Sequence, residues 1–159
     1  MNAQDLQRFC ADSDDIRYYL REPWSDGDYS YATNGHIILR VARLPNVEEQ
    51  PKAPNAEVLF AKTKPASNWL PIPVATMPPD VDCERCRGTK RDLDDRRFKC
   101  DVCGGTGKQR AQIGVRVGGA SFDQGYLSML QGWEIAPNGK AAAWIRNGNA
   151  QGLLMPRNE

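Results

Sequence analysis

The spacing of apolar residues changes several times along the first third of the chain, and each change marks a predicted element. Apolar side chains recur at helical spacing over residues 6–10, which predicts a first helical segment, and a short apolar face continues over 16–20. Polar residues and a glycine at 24–28 predict a turn. Apolar and polar residues then alternate over 29–31 and 37–41, and the Asn-Gly pair between these stretches is typical of a tight turn, so a β-hairpin is expected.

A regular pattern returns in the last third of the chain. Alternation over 113–117 predicts a strand, and residues 122–130 predict a short helix that ends at Gly132. Three further strands are expected over 133–135, 141–145 and 152–155, separated by Asn-Gly turns. Together these elements predict an α+β fold in which two helical segments cover one face of an antiparallel sheet.

Periodicity fades between these two regions. Eight prolines fall between Pro45 and Pro79, a composition typical of linkers, and only the apolar pieces at 58–60 and 69–70 are candidates for attachment to a core. We therefore interpret the chain as three parts. Residues 1–44 and 111–159 form one domain, 45–81 are a Pro-rich connector, and 82–110 are an insert.

The insert holds four of the five cysteines, arranged as two Cys-x-x-Cys pairs with 13 residues between them. This spacing predicts a tetrahedral thiolate site for one zinc ion. Four sulfurs close the coordination shell, and the single histidine, His36, lies far upstream, so a structural ion is favoured over a catalytic one. Disulfide pairing is the alternative, and it is disfavoured in a reducing compartment. The fifth cysteine, Cys10, is expected to be a buried thiol. The predicted ligands are Cys83, Cys86, Cys100 and Cys103.

Each pair continues into a turn that contains glycine. Residues 100–107 read Cys-x-x-Cys-x-Gly-x-Gly, and residues 83–90 repeat the pattern with Lys90 in place of the last glycine. Glycines at these positions let the backbone N–H groups approach the sulfurs. The pattern resembles the cysteine-rich domain of J-protein co-chaperones, in which four such motifs bind two zinc ions. Two motifs therefore imply one ion, and the resemblance adds the hypothesis of a chaperone-like substrate site on this hairpin.

Charge is distributed unevenly. The whole chain carries a net charge of +1, so no strong overall field draws it to nucleic acid. Residues 82–110, however, hold nine Lys or Arg against six Asp or Glu. A solvated hairpin tip is the simplest interpretation, and a nucleic-acid-binding zinc finger is the alternative. The basic residues of that alternative are Arg85, Arg87, Lys90, Arg91, Arg96, Arg97 and Lys99.

Three segments resemble parts of the domains of bacterial DNA polymerase sliding clamps (β clamps). "ATNGHIILRV" at 32–41 is similar to their A-T-D-G-H-R-L segment, and "ASFDQGYLSML" at 120–130 to the helix that opens the second half of a clamp domain. "GLLMPRN" at 152–158 is similar to their V-V-M-P-M-R end. The segments come in the order of a clamp domain, so the resemblance implies a DNA-clamp-like sheet. The layout also resembles that of small proteins encoded by phages and prophages.

Sliding clamps bind linear peptides in an apolar groove that the first and third segments help to line. The resemblance therefore implies a clamp-like domain that binds a protein partner in phage or host DNA metabolism. The alternative is that these positions are structural, with Ile37 in the core and His36 in a turn. The implied groove residues are Thr33, Gly35, His36, Ile37, Ile38, Leu154, Met155, Pro156 and Arg157.

The remaining expectations come from missing motifs. The sequence contains no nucleophile elbow, phosphate-binding loop or His-Glu-x-x-His, so we expect a protein that is not an enzyme. No apolar run approaches the length of a membrane-spanning helix, and no secretory leader is evident, which predicts a cytoplasmic protein without a membrane partner. A homo-oligomer and a complex with nucleic acid are further candidate assemblies.

Overall fold

The computed structural model describes residues 1–158, in which more residues lie in strands than in helices. The helices are α1 (Ala3–Gln7), α2 (Ala56–Lys62) and α3 (Gln124–Met129), with a 3₁₀ helix at Tyr18–Leu20. The strands are β1 (Trp24–Asp26), β2 (Tyr29–Thr33), β3 (Ile37–Ala42), β4 (Leu70–Pro71), β5 (Asp80–Asp82), β6 (Lys108–Arg110), β7 (Gly114–Val117), β8 (Ala120–Asp123), β9 (Glu134–Asn138), β10 (Ala141–Asn147) and β11 (Ala150–Leu154).

Seven of the strands form one sheet in the order β1-β2-β3-β11-β10-β9-β4, and every neighbouring pair is antiparallel. The pairing of β3 with β11 joins the N-terminal hairpin to the C-terminal meander. At this join Gly152 lies opposite Leu39, and a Cβ at position 152 would come 2.4 Å from the Ile38 carbonyl oxygen. The close approach of the two strands therefore requires glycine. The predicted α+β class with a mainly antiparallel sheet is confirmed.

One face of the sheet is covered by α1, α3 and the separate hairpin β7-β8. Leu6 of α1, Leu127 of α3 and Phe122 of β8 are fully buried there, against strand residues such as Leu39 and Ile145. Both helices begin at side-chain caps. Asn2 accepts a hydrogen bond from the Asp5 backbone N–H, and Asp123 accepts one from that of Gly125. This face corresponds to the two helical segments that the sequence predicts.

The opposite face is covered as well, by α2 and the residues that lead into β1. Ala56 and Phe60 of α2 pack with Trp24, Tyr31 and Leu153 in a second buried cluster. The two predicted helical segments thus share one face as expected, but the sequence analysis did not predict the third helix, α2, which lies on the other face. Periodicity did not predict this helix because it is only seven residues long and lies between prolines.

The Pro-rich stretch 45–81 contains elements that belong to the sheet structure. The apolar piece at 58–60 lies in α2, and the piece at 69–70 leads into β4, which pairs with β9 at the sheet edge. Phe60 and Ile72 are both buried. Prolines are compatible with this position because an edge strand leaves one row of backbone groups unpaired.

Two local expectations differ from the structure. Residues 24–26 form strand β1 rather than part of a turn, and Gly27, with φ of 58°, makes the turn into β2. Ile16, expected on a short apolar face, lies outside the core with 91% of its surface exposed, because residues 16–20 form only the 3₁₀ helix at Tyr18–Leu20. Asp15, which accepts from the backbone and guanidinium of Arg17, orders this loop instead.

Candidate metal centre and binding surfaces

The four predicted ligands come together at the base of the insert. Their sulfurs all lie within 4.8 Å of one another. The Sγ atoms of Cys83 and Cys100 are 3.9 Å apart, and those of Cys86 and Cys103 are 3.8 Å apart. A tetrahedron with metal–sulfur bonds of about 2.3 Å has edges of about 3.8 Å, so the four sulfurs fit a single ion. All five cysteines are free, and the sulfur separations are far longer than the roughly 2 Å of a disulfide.

The two halves of the site repeat each other in backbone conformation. Arg87, Gly88 and Lys90 have positive φ in the first half, and Gly104, Gly105 and Gly107 have positive φ at the corresponding positions of the second. The hydrogen bonds repeat too, since the Cys83 N–H donates to the Gly107 carbonyl and the Cys100 N–H to the Lys90 carbonyl. The insert is therefore a two-fold repeat of one sulfur-presenting turn. Arg87 and Lys90 adopt a conformation that favours glycine.

Backbone N–H groups support the sulfur of Cys103. The Gly107 N–H donates to its Sγ at 3.2 Å. Desolvation raises the pKa of this thiol, but N–H donation from Gly107 and Gly105, with help from neighbouring sulfurs, lowers it to about 6. The thiolate, the form that coordinates metal, is thus stabilised at neutral pH.

The predicted nucleic-acid residues lie on the exposed part of the insert, and carboxylates neutralise two of them. The Arg85 guanidinium lies 2.8 Å from the Asp94 carboxylate, and that of Arg97 lies 2.7 Å from the Asp95 carboxylate. The other five form no ion pair with any described residue, and they are Arg87, Lys90, Arg91, Arg96 and Lys99. Phe98 is 63% exposed beside them, with the Arg97 guanidinium 5.9 Å from its ring centre.

A second candidate site is an apolar groove on the sheet face that carries α2, at the ends of β3 and β11. Its volume is about 490 Å³. Leu59 and Met155 line it with 47% and 49% of their surfaces exposed. None of the described residues that line it is Asp or Glu, whereas Lys62, Lys64 and His36 are basic. The implied partner-binding residues that it brings together are Thr33, Gly35, His36, Ile37, Ile38 and Met155.

The other three implied groove residues lie elsewhere. Leu154 is fully buried in the sheet core. Pro156 and Arg157 line a neighbouring cleft of about 900 Å³, which we call the arginine cleft. His36, Ile37 and Met155 border both cavities. The arginine cleft is lined by Arg8, Phe9, Cys10, Asp12, Asn34, His36, Ile37, Met77, Arg110, Gln112, Asp123, Tyr126, Met129, Met155, Pro156, Arg157 and Asn158.

Sequence reasoning missed the wall of the apolar groove that α2 supplies. The groove residues in question lie close together inside the Pro-rich stretch and are Leu59, Lys62 and Lys64. No local sequence pattern connects this stretch with the β2-β3 turn. The signal that could have found them is the apolar piece at 58–60 followed directly by two lysines. It gives no indication of which surface that piece covers.

None of the helices among residues 1–158 is both long and apolar enough to cross a membrane. Comparisons of this chain with protein-family models, with curated proteins and with solved structures found no match.

Proposed function

We propose that this is a non-enzymatic, zinc-stabilised interaction protein whose clamp-like domain binds a linear peptide of a protein partner in phage or host DNA metabolism. The observation that carries the proposal is the apolar groove. It unites six residues named from the clamp resemblance with an exposed apolar wall on α2. The insert serves as architecture, held by one structural zinc ion.

Zinc is the metal that the donor set favours. Four thiolates are soft ligands, and a closed tetrahedral S₄ shell suits Zn²⁺ or an iron–sulfur centre rather than Mg²⁺ or Ca²⁺. Three of the sulfurs are fully buried and the fourth partly so, which leaves no open position for a substrate. A structural role follows from a closed shell.

The clamp-like assignment draws support from the arrangement of the three resembling segments. Strand β3, in the first segment, pairs with β11, in the third. The Met155 N–H donates to the His36 carbonyl at 2.9 Å, and the Arg157 N–H donates to the Ser121 carbonyl of the second segment at 2.8 Å. Segments that are far apart in sequence are thus hydrogen-bonded neighbours in the fold.

The groove also indicates the chemistry of its peptide. Exposed Leu59 and Met155 offer apolar contact, and methionine adapts its shape to different apolar anchors. The ammonium groups of Lys62 and Lys64 have no ion-pair partner among the described residues. A peptide with one or two large apolar side chains next to an Asp or Glu is therefore the best complement.

We predict that replacing Leu59 with Glu abolishes this binding. A carboxylate on the apolar wall would repel the acidic residue and remove the contact surface, so affinity should fall at least tenfold. Peptides selected from a random display library would be titrated against the wild type and the variant by fluorescence anisotropy. Val58→Glu is the matched control, since Val58 is exposed on the same helix but does not line the groove. Selection of no peptide, or equal binding by both variants, would refute the groove as a peptide site.

The zinc hairpin gives a second prediction, on Lys90. Its φ of 71° is strained for any residue with a Cβ, and the equivalent position in the other half is Gly107. Lys90→Gly should therefore raise zinc affinity by about fivefold, which corresponds to about 1 kcal/mol of relieved strain. Competition with a chromophoric chelator measures this change. Arg91→Gly is the control, because Arg91 lacks a positive φ and glycine there should weaken binding. The opposite order of affinities would contradict the repeat model.

The alternative function, nucleic-acid binding by the hairpin, is favoured by one observation. Five basic side chains of the hairpin have no carboxylate partner among the described residues, and Phe98 on the same hairpin is exposed. Basic side chains can bind the sugar–phosphate backbone of a nucleic acid, and an exposed aromatic ring next to them can stack on a base. Arg91→Glu combined with Arg96→Glu would then remove salt-dependent retention on immobilised nucleic acid.

A further inference from the structure

The arginine cleft contains two guanidinium groups whose charge the described residues leave uncompensated. Arg8 follows α1 and Arg110 ends β6, so they reach the cleft from distant parts of the sequence. Neither side chain has an ion-pair or hydrogen-bond partner among residues 1–158. Guanidinium groups in a concave site are suited to carboxylate and phosphate oxygens, which they bind with two parallel hydrogen bonds.

Tyr126 adds a neutral donor, and its orientation can be deduced from Asn34. The Asn34 side-chain oxygen accepts from the backbone N–H groups of His36 and Ile37, so its amide nitrogen must point the other way. That nitrogen donates to the Tyr126 hydroxyl oxygen at 2.9 Å. The hydroxyl proton of Tyr126 is therefore left to donate elsewhere, and no described residue accepts it. Burial raises the pKa of this hydroxyl, so the proton is retained at neutral pH.

The cleft also presents aromatic surface beside these donors. The rings of His36 and Tyr126 lie 6.3 Å apart, with an angle of 34° between their planes. His36 is exposed, and Met77 and Met129 add adaptable apolar contact on the same wall. An exposed ring next to cations, as His36 provides here, is a combination on which nucleobases stack.

The two carboxylates in the cleft do not cancel this preference. Asp123 caps α3 by accepting from the Gly125 N–H, and it lies 3.5 Å from the Arg157 guanidinium, so its charge is already engaged. Asp12 has no cation within ion-pair distance among the described residues. As an acceptor it suits a sugar hydroxyl or a base amino group. Among the described residues that line the cleft, three arginines stand against two aspartates.

We propose that the arginine cleft binds a phosphate ester that carries an aromatic base, either as a free nucleotide or as the end of a single strand. Arg8 and Arg110 hold the phosphate, Tyr126 donates to a phosphate oxygen, and the base stacks beside His36. The volume of about 900 Å³ lies within the roughly 300–1,000 Å³ range of small-molecule sites. This site is separate from the apolar groove and shares only its border residues.

The test measures binding of three probes to the full chain. These are a fluorescent single-stranded DNA of roughly eight nucleotides, adenosine monophosphate and inorganic phosphate. Arg110→Gln and Arg8→Gln should each weaken binding of the labelled strand about tenfold, because each removes a charge-assisted hydrogen bond. Tyr126→Phe should weaken it several-fold. Arg116→Gln is the matched control, since Arg116 is an exposed arginine on β7 outside the cleft.

Competition between the probes distinguishes the two sources of the ligand. A free nucleotide is indicated if adenosine monophosphate binds as tightly as the strand and displaces it. A strand end is indicated if the strand binds more tightly and the double variant Arg8→Gln, Arg110→Gln flattens the salt dependence by roughly 0.7 in log–log slope, the value for one phosphate.

Three results would overturn the proposal. The first is no binding of any probe at low salt, and the second is displacement by inorganic phosphate as efficient as by the nucleotide. The third is strand binding that is lost in Arg91→Glu, Arg96→Glu and unaffected in Arg8→Gln, Arg110→Gln, because this would place the contact on the hairpin. Thermal unfolding of each variant checks that the sheet is intact.

Discussion

Replacing Cys100 with Ser is expected to release zinc and unfold the hairpin of residues 83–107, while the seven-stranded sheet stays folded. The reason is that the hairpin has almost no apolar core apart from its ligands. The buried cluster at its centre consists of Cys83, Cys86 and Cys100, with Cys103 packed against it. Coordination by four thiolates contributes on the order of 10 kcal/mol to folding in sites of this kind. No other interaction in the hairpin approaches that value.

The sheet should survive because the hairpin is joined to it through a narrow base. Strands β5 and β6 pair only with each other, and the Cys83 N–H closes the loop by donating to the Gly107 carbonyl. The ion pairs Arg85–Asp94 and Lys108–Asp82 also stay within this region. Loss of the metal therefore removes interactions inside the insert and leaves both faces of the large sheet packed.

Zinc content, limited proteolysis and thermal unfolding measure the three parts of this prediction. The Cys100→Ser protein should contain less than one zinc per chain, be cut between residues 83 and 107, and retain the unfolding transition of the sheet. Cys10→Ser is the matched control, because the same chemical change in a thiol buried against α1 and the sheet should leave the metal bound. A protein that unfolds completely on Cys100→Ser would show that the insert is integral to the domain.

The metal site illustrates what local sequence can predict. Ligand spacing and glycine placement are properties of a few consecutive residues, so the four cysteines could be named without a fold. The sequence also predicted the repeat of the two turns, including the replacement of the last glycine of the motif by Lys90. What could not be read was that Arg87 also adopts positive φ, because neither its chemistry nor its position in the motif marks it as a turn residue.

The sheet was predictable where strands are long enough to show alternation. Strands β2, β3, β10 and β11 have five to seven residues, enough to show alternation in the sequence. Burial alternates in β10, whereas β2, β3 and β11 are buried along most of their length because both faces of the sheet are covered there. Strands β1 and β4 have three and two residues, too few to show a period of two. Their positions at the two edges depend on tertiary pairing, which no local pattern encodes.

The groove residues show a different limit. The turn at 33–38 and the tail at 155 were named together because they resemble parts of one known surface, and they do lie together. Leu154 was named with them and is instead fully buried, since alternate residues of a strand point to opposite faces. The α2 wall was missed because it approaches from the opposite side of the sheet from the helices that could be predicted.

The largest expected effect on stability concerns the sheet face that α2 covers. Phe60 is 4% exposed, and its ring centre lies 5.6 Å from that of Trp144 and 6.5 Å from that of Tyr31. The Arg40 guanidinium lies 4.1 Å from the Phe60 ring centre and pairs with Glu57 at 2.9 Å. The Tyr31 hydroxyl also donates to Glu57, and the Trp144 indole N–H donates to the Lys64 carbonyl. Phe60 is thus the centre of the contact between α2 and the sheet.

Replacing Phe60 with Ala should reduce the free energy of unfolding of the sheet by about 3–5 kcal/mol, because it leaves a cavity lined by aromatic rings that cannot collapse onto one another. Denaturant unfolding followed by tryptophan fluorescence measures the change, and the thermal midpoint should fall by roughly 10 °C. Val58→Ala is the control, since Val58 is 39% exposed on the same helix and should cost less than about 1 kcal/mol. If the two variants proved equally stable, residues 45–81 would be a connector that merely lies on the sheet, and the apolar groove would lose the wall on which the proposed peptide binding depends.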